Sequence, residues 1–194
     1  MLRLALSLLL AAPPAAAQTP SPPLPRVAIE TSAGRVVVEL ETARAPVTAA
    51  NFLRYVEGKK LDGVTFYRAV RVQPDFGFVQ FGTQNDVKRT LPPIKHEPTT
   101  RTGVKHLSGA ISVARNAPGS ARGDFTIMVG DQPSLDADPT KPGDNQGYAA
   151  FGRVVEGMDV VTRIMNGPTS PTAGPFKGEM LSPGVRVLAA RRLP

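Results

Sequence analysis

The feature that most constrains the fold of this 194-residue chain is its density of residues that interrupt regular secondary structure. The chain contains 20 prolines and 18 glycines, spread along its length. Proline lacks a backbone N–H and glycine favours turns, so neither residue suits the interior of a helix or of a central strand. The sequence therefore predicts many turns and few long helices, in one domain long enough to bury a sizeable core.

The apolar runs between these breaks are short, and they either alternate with polar residues or are β-branched, which indicates strands. A turn at residues 32–34 separates the first two runs and predicts a hairpin. Residues 87–109 contain proline breaks and are predicted to form a long loop. The predicted strands span residues 27–31, 36–40, 64–70, 76–81, 110–114, 125–129, 149–154 and 185–189.

Two short helices are predicted at widely separated places. Pro46 suits the first turn of one helix, and Gly58 ends it. Its apolar face consists of Val47, Ala50, Leu53 and Val56, three residues apart. The other helix spans residues 158–165 and ends at Gly167-Pro168. Many short strands, two helices and no internal repeat favour a closed barrel capped by helices.

The first 25 residues are predicted to precede the globular domain. Arg3 supplies a basic start, residues 4–12 are apolar but too short to span a bilayer, and Ala15 and Ala17 fit a small-x-small cleavage site. Residues 1–17 are therefore predicted to be a cleaved signal peptide that leaves no membrane anchor. A buried N-terminal helix is the alternative, which the prolines at positions 13 and 14 disfavour. Residues 18–25 are predicted to be a flexible Pro-rich leader, and residues 26–194 the domain.

Charge and composition exclude several kinds of chemistry. The net charge of +7 suggests either attraction to nucleic acid or anionic membranes, or simply the solvated basic surface of an exported protein. The basic residues are scattered and do not interleave with aromatic residues, so we expect no nucleic-acid partner. The absence of cysteine excludes disulfides, thiolate metal sites and cysteine nucleophiles. Four aspartates between residues 131 and 144 miss the spacing of a calcium loop, so no metal site is predicted.

Four sequence blocks stand out along the domain: Phe66-Tyr67-Arg68 with FVQFG at 78–82, the stretches at 109–115 and 120–127, residues 151–161, and the helix start at 45–52. They resemble segments of the cyclophilin family and occur in the family's order. The first block is similar to its aromatic-x-Arg and Phe/Met-x-Gln-Gly segments. GAISVAR at 109–115 and SARGDFTI at 120–127 are similar to its G-x-x-S-M-A and N-G-S-Q-F-F-I stretches. FGRVVEGMDVV at 151–161 and the helix start APVTAANF at 45–52 also match. The resemblance runs from about Arg26 to the C-terminus.

What the resemblance implies is a mainly β fold: a closed eight-stranded antiparallel barrel capped by two α-helices. The barrel interior is a packed apolar core, to which Phe125 contributes, and the active groove lies on the outer wall. The implied activity is cis–trans isomerisation of bonds that precede proline. Because the whole domain resembles bacterial periplasmic members, we expect export to the periplasm, with release into the medium as the alternative.

The reaction needs no nucleophile, metal or cofactor. Rotation about a peptide bond has a barrier of about 18–20 kcal/mol, because amide resonance must be broken. Before proline the two isomers are close in energy but interconvert only in tens to hundreds of seconds. A catalyst therefore needs a slot for the proline ring and a fixed donor that interacts better with the twisted bond than with the planar one. Arginine suits this because its planar, charged fork bonds the substrate carbonyl and approaches the nitrogen together.

The resemblance assigns roles to nine residues, each of which is also plausible as an ordinary core or surface residue. Arg68 is the catalytic candidate, Gln80 would orient the substrate backbone, and Phe78 would wall the proline slot. The other substrate-binding candidates are Ala114 and Arg115 on the floor and edge, Leu135 under the proline ring, Tyr148 at one rim, and Asp124 and Thr126.

At several positions the chain departs from the family pattern. Thr126 replaces an aromatic pocket floor, which removes apolar contact worth on the order of 1–3 kcal/mol. Asp124 replaces a glutamine and puts a negative charge near Arg68, which would either hold Arg68 in place or divert it from substrate. Ser134 stands where some members have tryptophan, and Tyr148 where many have histidine. Residues 71–77 form a longer segment in which glycine replaces the usual phenylalanine at position 77, so Phe76 or Phe78 must substitute.

Two functions of different class follow. The first is an active prolyl isomerase that acts on proline-containing unfolded or extended polypeptides during their folding after export; we expect it to be a monomer. The second is a cyclophilin-fold module with little activity that binds such segments. Arg68 and Gln80 favour the isomerase, whereas Thr126 favours the binding module. A secreted hydrolase that uses one of the two histidines ranks third, because the chain has no G-x-S-x-G elbow.

Overall fold

The computed structural model of the protein describes residues 23–194. The signal peptide predicted over residues 1–17 and the part of the leader at residues 18–22 lie outside the described residues. Within residues 23–194 no helix is long and apolar enough to cross a membrane.

The described chain forms nine strands and three α-helices. The strands are β1 (Arg26–Thr31), β2 (Gly34–Leu40), β3 (Thr65–Gln73), β4 (Phe76–Gly82), β5 (Ala110–Val113), β6 (Asp124–Val129), β7 (Ala149–Glu156), β8 (Thr169–Ser170) and β9 (Met180–Arg192). The helices are α1 (Pro46–Glu57), α2 (Thr99–Thr102) and α3 (Met158–Met165), and a single 3₁₀ turn spans Pro133–Leu135.

Eight of these strands close into an antiparallel barrel. Their order is β1-β2-β7-β5-β6-β4-β3-β9, and β9 pairs again with β1 to complete the ring. The two-residue β8 is attached to the outer edge of β9. The predicted eight-stranded antiparallel barrel is therefore confirmed, with the two predicted helices at α1 and α3 and the short α2 as an addition.

Alternation along the strands separates the barrel interior from its outer wall. On β4 the side chains of Val79 and Phe81 are buried in the core, so Phe78 and Gln80 point outward. On β6, Phe125 is fully buried and its ring centre lies 4.9 Å from that of Phe52 on α1, which confirms that it packs inside the barrel. The outward residues of β4 and β6 therefore lie side by side on one face.

Three features of the fold differ from the sequence prediction. The final strand was predicted over residues 185–189, but β9 extends over Met180–Arg192. Its Ser182-Pro183-Gly184 segment breaks the strand pattern, and the structure accommodates it in an irregularity where Phe66 and Arg68 pair with Val185 and Met180. The second difference is α2, inside the predicted loop at 87–109, and the third is β8, too short to leave a sequence signal.

Candidate active site

A groove of about 660 Å³ lies on the outer wall of the barrel over β3, β4 and β6. All nine residues predicted for the site line it, although they come from segments far apart in the chain. They are Arg68, Phe78, Gln80, Ala114, Arg115, Asp124, Thr126, Leu135 and Tyr148. The structure thus brings the predicted residues together, and the role of each one stays a prediction.

A bulge in β3 turns two consecutive side chains towards this groove. Phe66 pairs with Phe81 and Arg68 pairs with Gln80, so Tyr67 is an extra residue on β3. A bulge interrupts strict alternation and re-aims the residues next to it. As a result Phe66 is buried in the core while both Tyr67 and Arg68 line the groove.

The Arg68 guanidinium is held by two side chains. Its Nε donates to Oε2 of Glu179 at 2.7 Å, and its Nη2 lies 2.7 Å from the same oxygen. Its Nη1 donates to Oε1 of Gln80 at 3.1 Å. A guanidinium has five N–H donors, so these three contacts leave two for a substrate.

Aromatic rings flank the same guanidinium. Its carbon Cζ lies 3.7 Å from the ring centre of Phe176 and 5.5 Å from that of Phe78. Both distances are in the range of cation–π attraction, which restricts the guanidinium without occupying its in-plane N–H groups. Arg68 is therefore oriented by a carboxylate, an amide and two aromatic faces.

Asp124 does not interact with Arg68 in either of the two ways considered from the sequence. Its Oδ1 accepts hydrogen bonds from the Tyr67 hydroxyl and from the backbone N–H of Gln84, both at 3.0 Å. Burial raises the pKa of the Asp124 carboxyl, and burial together with the nearby Asp124 charge raises the pKa of Tyr67. Glu179, which the sequence did not single out, takes the place beside Arg68.

Other apolar side chains line the groove besides the threonine at position 126. Met128 follows Thr126 on the outer face of β6 and pairs with Phe78. Leu135, Phe176 and Met180 also line the groove. The outward position of Met128 could be predicted from the alternation along β6. Phe176 and Met180 could not be predicted, because they belong to a distant segment without regular periodicity.

Phe78, and not Phe76, supplies the aromatic side chain of this wall. The position three residues before Gln80 is Gly77, and a Cβ on Gly77 would lie 2.0 Å from the carbonyl oxygen of Val70. No side chain fits there without moving β3. The glycine at this position is therefore required by the close pairing of β3 with β4.

The opposite rim is fixed by a second arginine. Nη1 and Nη2 of Arg115 donate to the two carboxylate oxygens of Asp144 at 2.8 and 2.9 Å, and its Nε donates to the Gly147 carbonyl at 2.8 Å. Hydrogen bonds from the Arg115 side chain and from the Gln146 backbone N–H lower the pKa of Asp144 to about 2. Its Cζ also lies 5.2 Å from the Tyr148 ring centre. Ser134, on the 3₁₀ turn next to Leu135, is exposed and does not line the groove.

A buried Ser–His–Asp chain lies outside the groove and bears on the hydrolase alternative. His106 Nδ1 lies 2.8 Å from Asp136 Oδ1, and its Nε2 lies 3.0 Å from Ser112 Oγ. Ser112 is fully buried and burial lowers the pKa of His106. A nucleophile must reach its substrate, so this chain is a structural link between β5 and the loop after the 3₁₀ turn. Residues 23–194 hold no cluster of three His, Cys, Asp or Glu side chains arranged for a metal.

Known proteins with similar sequences are peptidyl-prolyl isomerases. The chain is 40% identical over 151 residues to an isomerase of Streptomyces antibioticus, covering 76% of this chain and 87% of that one. It is 37% identical over 147 residues to an isomerase of Acinetobacter baylyi, covering 74% of this chain and 73% of that one. It is 36% identical over 154 residues to isomerase A of Dickeya dadantii, covering 78% of this chain and 76% of that one.

The fold also resembles that of a solved isomerase structure. The crystal structure of a Cryptosporidium parvum cyclophilin type peptidyl-prolyl cis-trans isomerase, obtained in the presence of the dipeptide Ala-Pro, superposes with a TM-score of 0.70. It is 18% identical and covers 87% of this chain and 99% of its own. The family model described as cyclophilin type peptidyl-prolyl cis-trans isomerase/CLD matches residues 26–187. The chain therefore belongs to the cyclophilin family and is a peptidyl-prolyl cis-trans isomerase.

Proposed function

We propose that this isomerase acts on proline-containing extended segments of exported proteins, with Arg68 as its catalytic residue. The observation that carries the proposal is the Arg68 guanidinium, which is oriented on three sides and keeps two N–H donors for substrate. Those donors favour the twisted Xaa-Pro bond, whose nitrogen regains its lone pair, over the planar bond. A donor that is already held in place needs no reorganisation during the reaction.

The remaining groove residues supply the binding half of the proposal. The apolar side chains of Phe78, Met128 and Leu135 form the slot for the proline ring. Gln80 bonds Arg68 through its oxygen, which leaves its amide N–H₂ to bind the substrate backbone. The C. parvum relative, crystallised in the presence of Ala-Pro, supports an Xaa-Pro dipeptide unit as the ligand of this groove.

The experiment is NMR exchange spectroscopy on a short peptide with one Xaa-Pro bond and a substoichiometric amount of protein. We expect cis–trans cross peaks to appear on a timescale at which the free peptide shows none. Shifts in a labelled sample should map to the groove, including Phe78 and Leu135. A peptide with alanine in place of proline is the control and should leave those signals in place. An exchange rate equal to the uncatalysed one would overturn the proposal.

The cellular setting of the proposal rests on the N-terminal sequence. Arg3, the apolar residues 4–12 and Ala15-x-Ala17 support cleavage before Gln18 and export to the periplasm. We propose that the mature protein acts there as a monomer, and the scattered basic residues argue against a nucleic-acid partner. Expression in a bacterial host followed by N-terminal mass spectrometry should find Gln18 as the first residue in the periplasmic fraction. Soluble cytosolic protein that retains Met1 would contradict export.

A further inference from the structure

The segment that joins β8 to β9, residues 171–179, lines the groove beside Arg68 with Pro175 and Phe176. Its backbone is tied down at both ends: Ala173 N–H donates to Ser170 Oγ at 3.0 Å, and Ala69 N–H donates to the Glu179 carbonyl at 2.8 Å. The second bond attaches Glu179 to the residue next to Arg68 on β3. The position of the Glu179 carboxylate is therefore set by the backbone of the barrel.

The turn at the end of this segment carries an exposed aromatic ring. Glu179 N–H donates to the Phe176 carbonyl at 3.0 Å, which folds residues 176–179 so that both side chains reach the same guanidinium. The Phe176 side chain remains 41% exposed. Of the five exposed large apolar residues in the described chain, it alone lines the groove; the others are Val72, Val87, Leu107 and Leu188.

We propose that residues 171–179 form a side wall of the active groove, in which Glu179 positions Arg68 and Phe176 determines specificity. Glu179 holds the Nε side of the guanidinium, so that the two free N–H donors face the substrate. Phe176, stacked at 3.7 Å on one face of Arg68, offers its exposed ring to an aromatic or large apolar side chain next to the substrate proline. The inference rests on the proposed catalytic role of Arg68.

Phe176 is tested by comparing two peptides, one with phenylalanine and one with glycine next to the proline. The parent should prefer the phenylalanine peptide, and Phe176→Ala should reduce this preference about three- to tenfold through KM, as expected for one lost aromatic contact. Leu188→Ala is the matched control, since Leu188 is 55% exposed and lies outside the groove. An unchanged preference in Phe176→Ala would overturn the specificity role.

Glu179 is tested by the separation of kcat from KM. Glu179→Ala should lower kcat about tenfold with little change in KM, because a misoriented donor loses transition-state contact while the proline slot remains. Glu179→Gln, which keeps an acceptor oxygen, should recover most of the rate. The NMR signal of Arg68 Nε–H should be protected in the parent and exchange rapidly in Glu179→Ala. Unchanged kcat and an unchanged Nε–H signal in Glu179→Ala would overturn the positioning role.

These results separate the inference from the proposed function. If the parent does not accelerate isomerisation, the proposed function fails, whereas peptide affinity and the Arg68 Nε–H signal still report on the wall. The parent could instead be active while the Phe176 and Glu179 variants match Leu188→Ala in peptide preference, in kcat and in Nε–H exchange. In that case the proposed roles of Phe176 and Glu179 are wrong and the proposed function stands.

Discussion

A buried carboxylate outside the groove gives the sharpest stability prediction. Glu97 is fully buried, and its carboxylate accepts from the backbone N–H groups of Val47 at 3.2 Å and Thr48 at 2.8 Å and from the Thr48 hydroxyl at 2.8 Å. These donors belong to the first turn of α1, whose N-cap residue Ala45 makes no side-chain cap bond. Glu97 therefore caps α1 from 49 residues away along the chain.

The size of the effect follows from the donors that Glu97→Ala would strand. Each buried donor without a partner costs roughly 1–3 kcal/mol, and the N–H and hydroxyl of Thr48 are buried whereas the Val47 N–H is partly buried. We expect the free energy of unfolding to fall by about 3 kcal/mol and the melting temperature by about 6–12 °C for a chain of this size. Glu97→Gln keeps one acceptor oxygen without the charge, so about half of the loss is expected.

Urea unfolding followed by circular dichroism measures this loss. The control is Glu57→Ala at the other end of α1. The Glu57 side chain is exposed, and its Oε1 lies 3.8 Å from Nη1 of Arg192. A surface ion pair of this kind contributes about 0–1 kcal/mol, so this variant should stay close to the parent. If Glu97→Ala is no less stable than Glu57→Ala, the capping role is wrong.

Three further predictions concern other parts of the barrel. Burial holds the pKa of His106 below its value in the unfolded chain, so below pH about 6.5 the unfolded chain binds more protons than the folded one. The free energy of unfolding should therefore fall as the pH drops through that range. Urea titrations at several pH values should show a flatter pH dependence for His106→Gln than for the parent. Thr126→Phe should lower KM for proline peptides in the NMR exchange assay, because it adds apolar surface to the slot, and an unchanged KM would mean that Met128 already fills it. Gly77→Ala should lower the melting temperature, since its Cβ would lie 2.0 Å from the Val70 carbonyl oxygen, and a stability equal to the parent's would contradict that close approach.

Much of the barrel could be predicted from the sequence because alternation is a local signal. Val79 and Phe81 on β4, and Phe125 and Ile127 on β6, occupy every second position, which determines both the strands and their inner faces. The full length of β9 could not be predicted, because Ser182-Pro183-Gly184 breaks the pattern. The residues on either side of that segment are in the sheet because Met180 and Val185 pair with β3 and Leu181 pairs with β8.

Some residues of the candidate site could likewise be predicted from the sequence, and others could not. Arg68, Gln80 and Thr126 occupy sequence blocks that carry a recognisable motif, so their shared groove was predictable. Glu179 lies 111 residues from Arg68, in a segment of prolines and glycines without a periodic pattern. Its contact with Arg68 depends on the backbone bond from Ala69, which exists only in the closed barrel. Partners that are brought together by tertiary pairing leave no local sequence signal.

The role of Arg68 is tested most directly by the isomerisation rate of one Xaa-Pro peptide, measured by NMR exchange for the parent, Arg68→Ala and Arg68→Lys. Arg68→Ala should lower kcat by roughly 10²–10³, the cost of removing one preorganised donor. Arg68→Lys should recover little of it, because a point charge lacks the planar fork. The melting temperature should change little, since Arg68 contributes to the groove and not to the core. Isomerisation by Arg68→Ala at the parent's rate, with the fold intact, would contradict the catalytic role of Arg68.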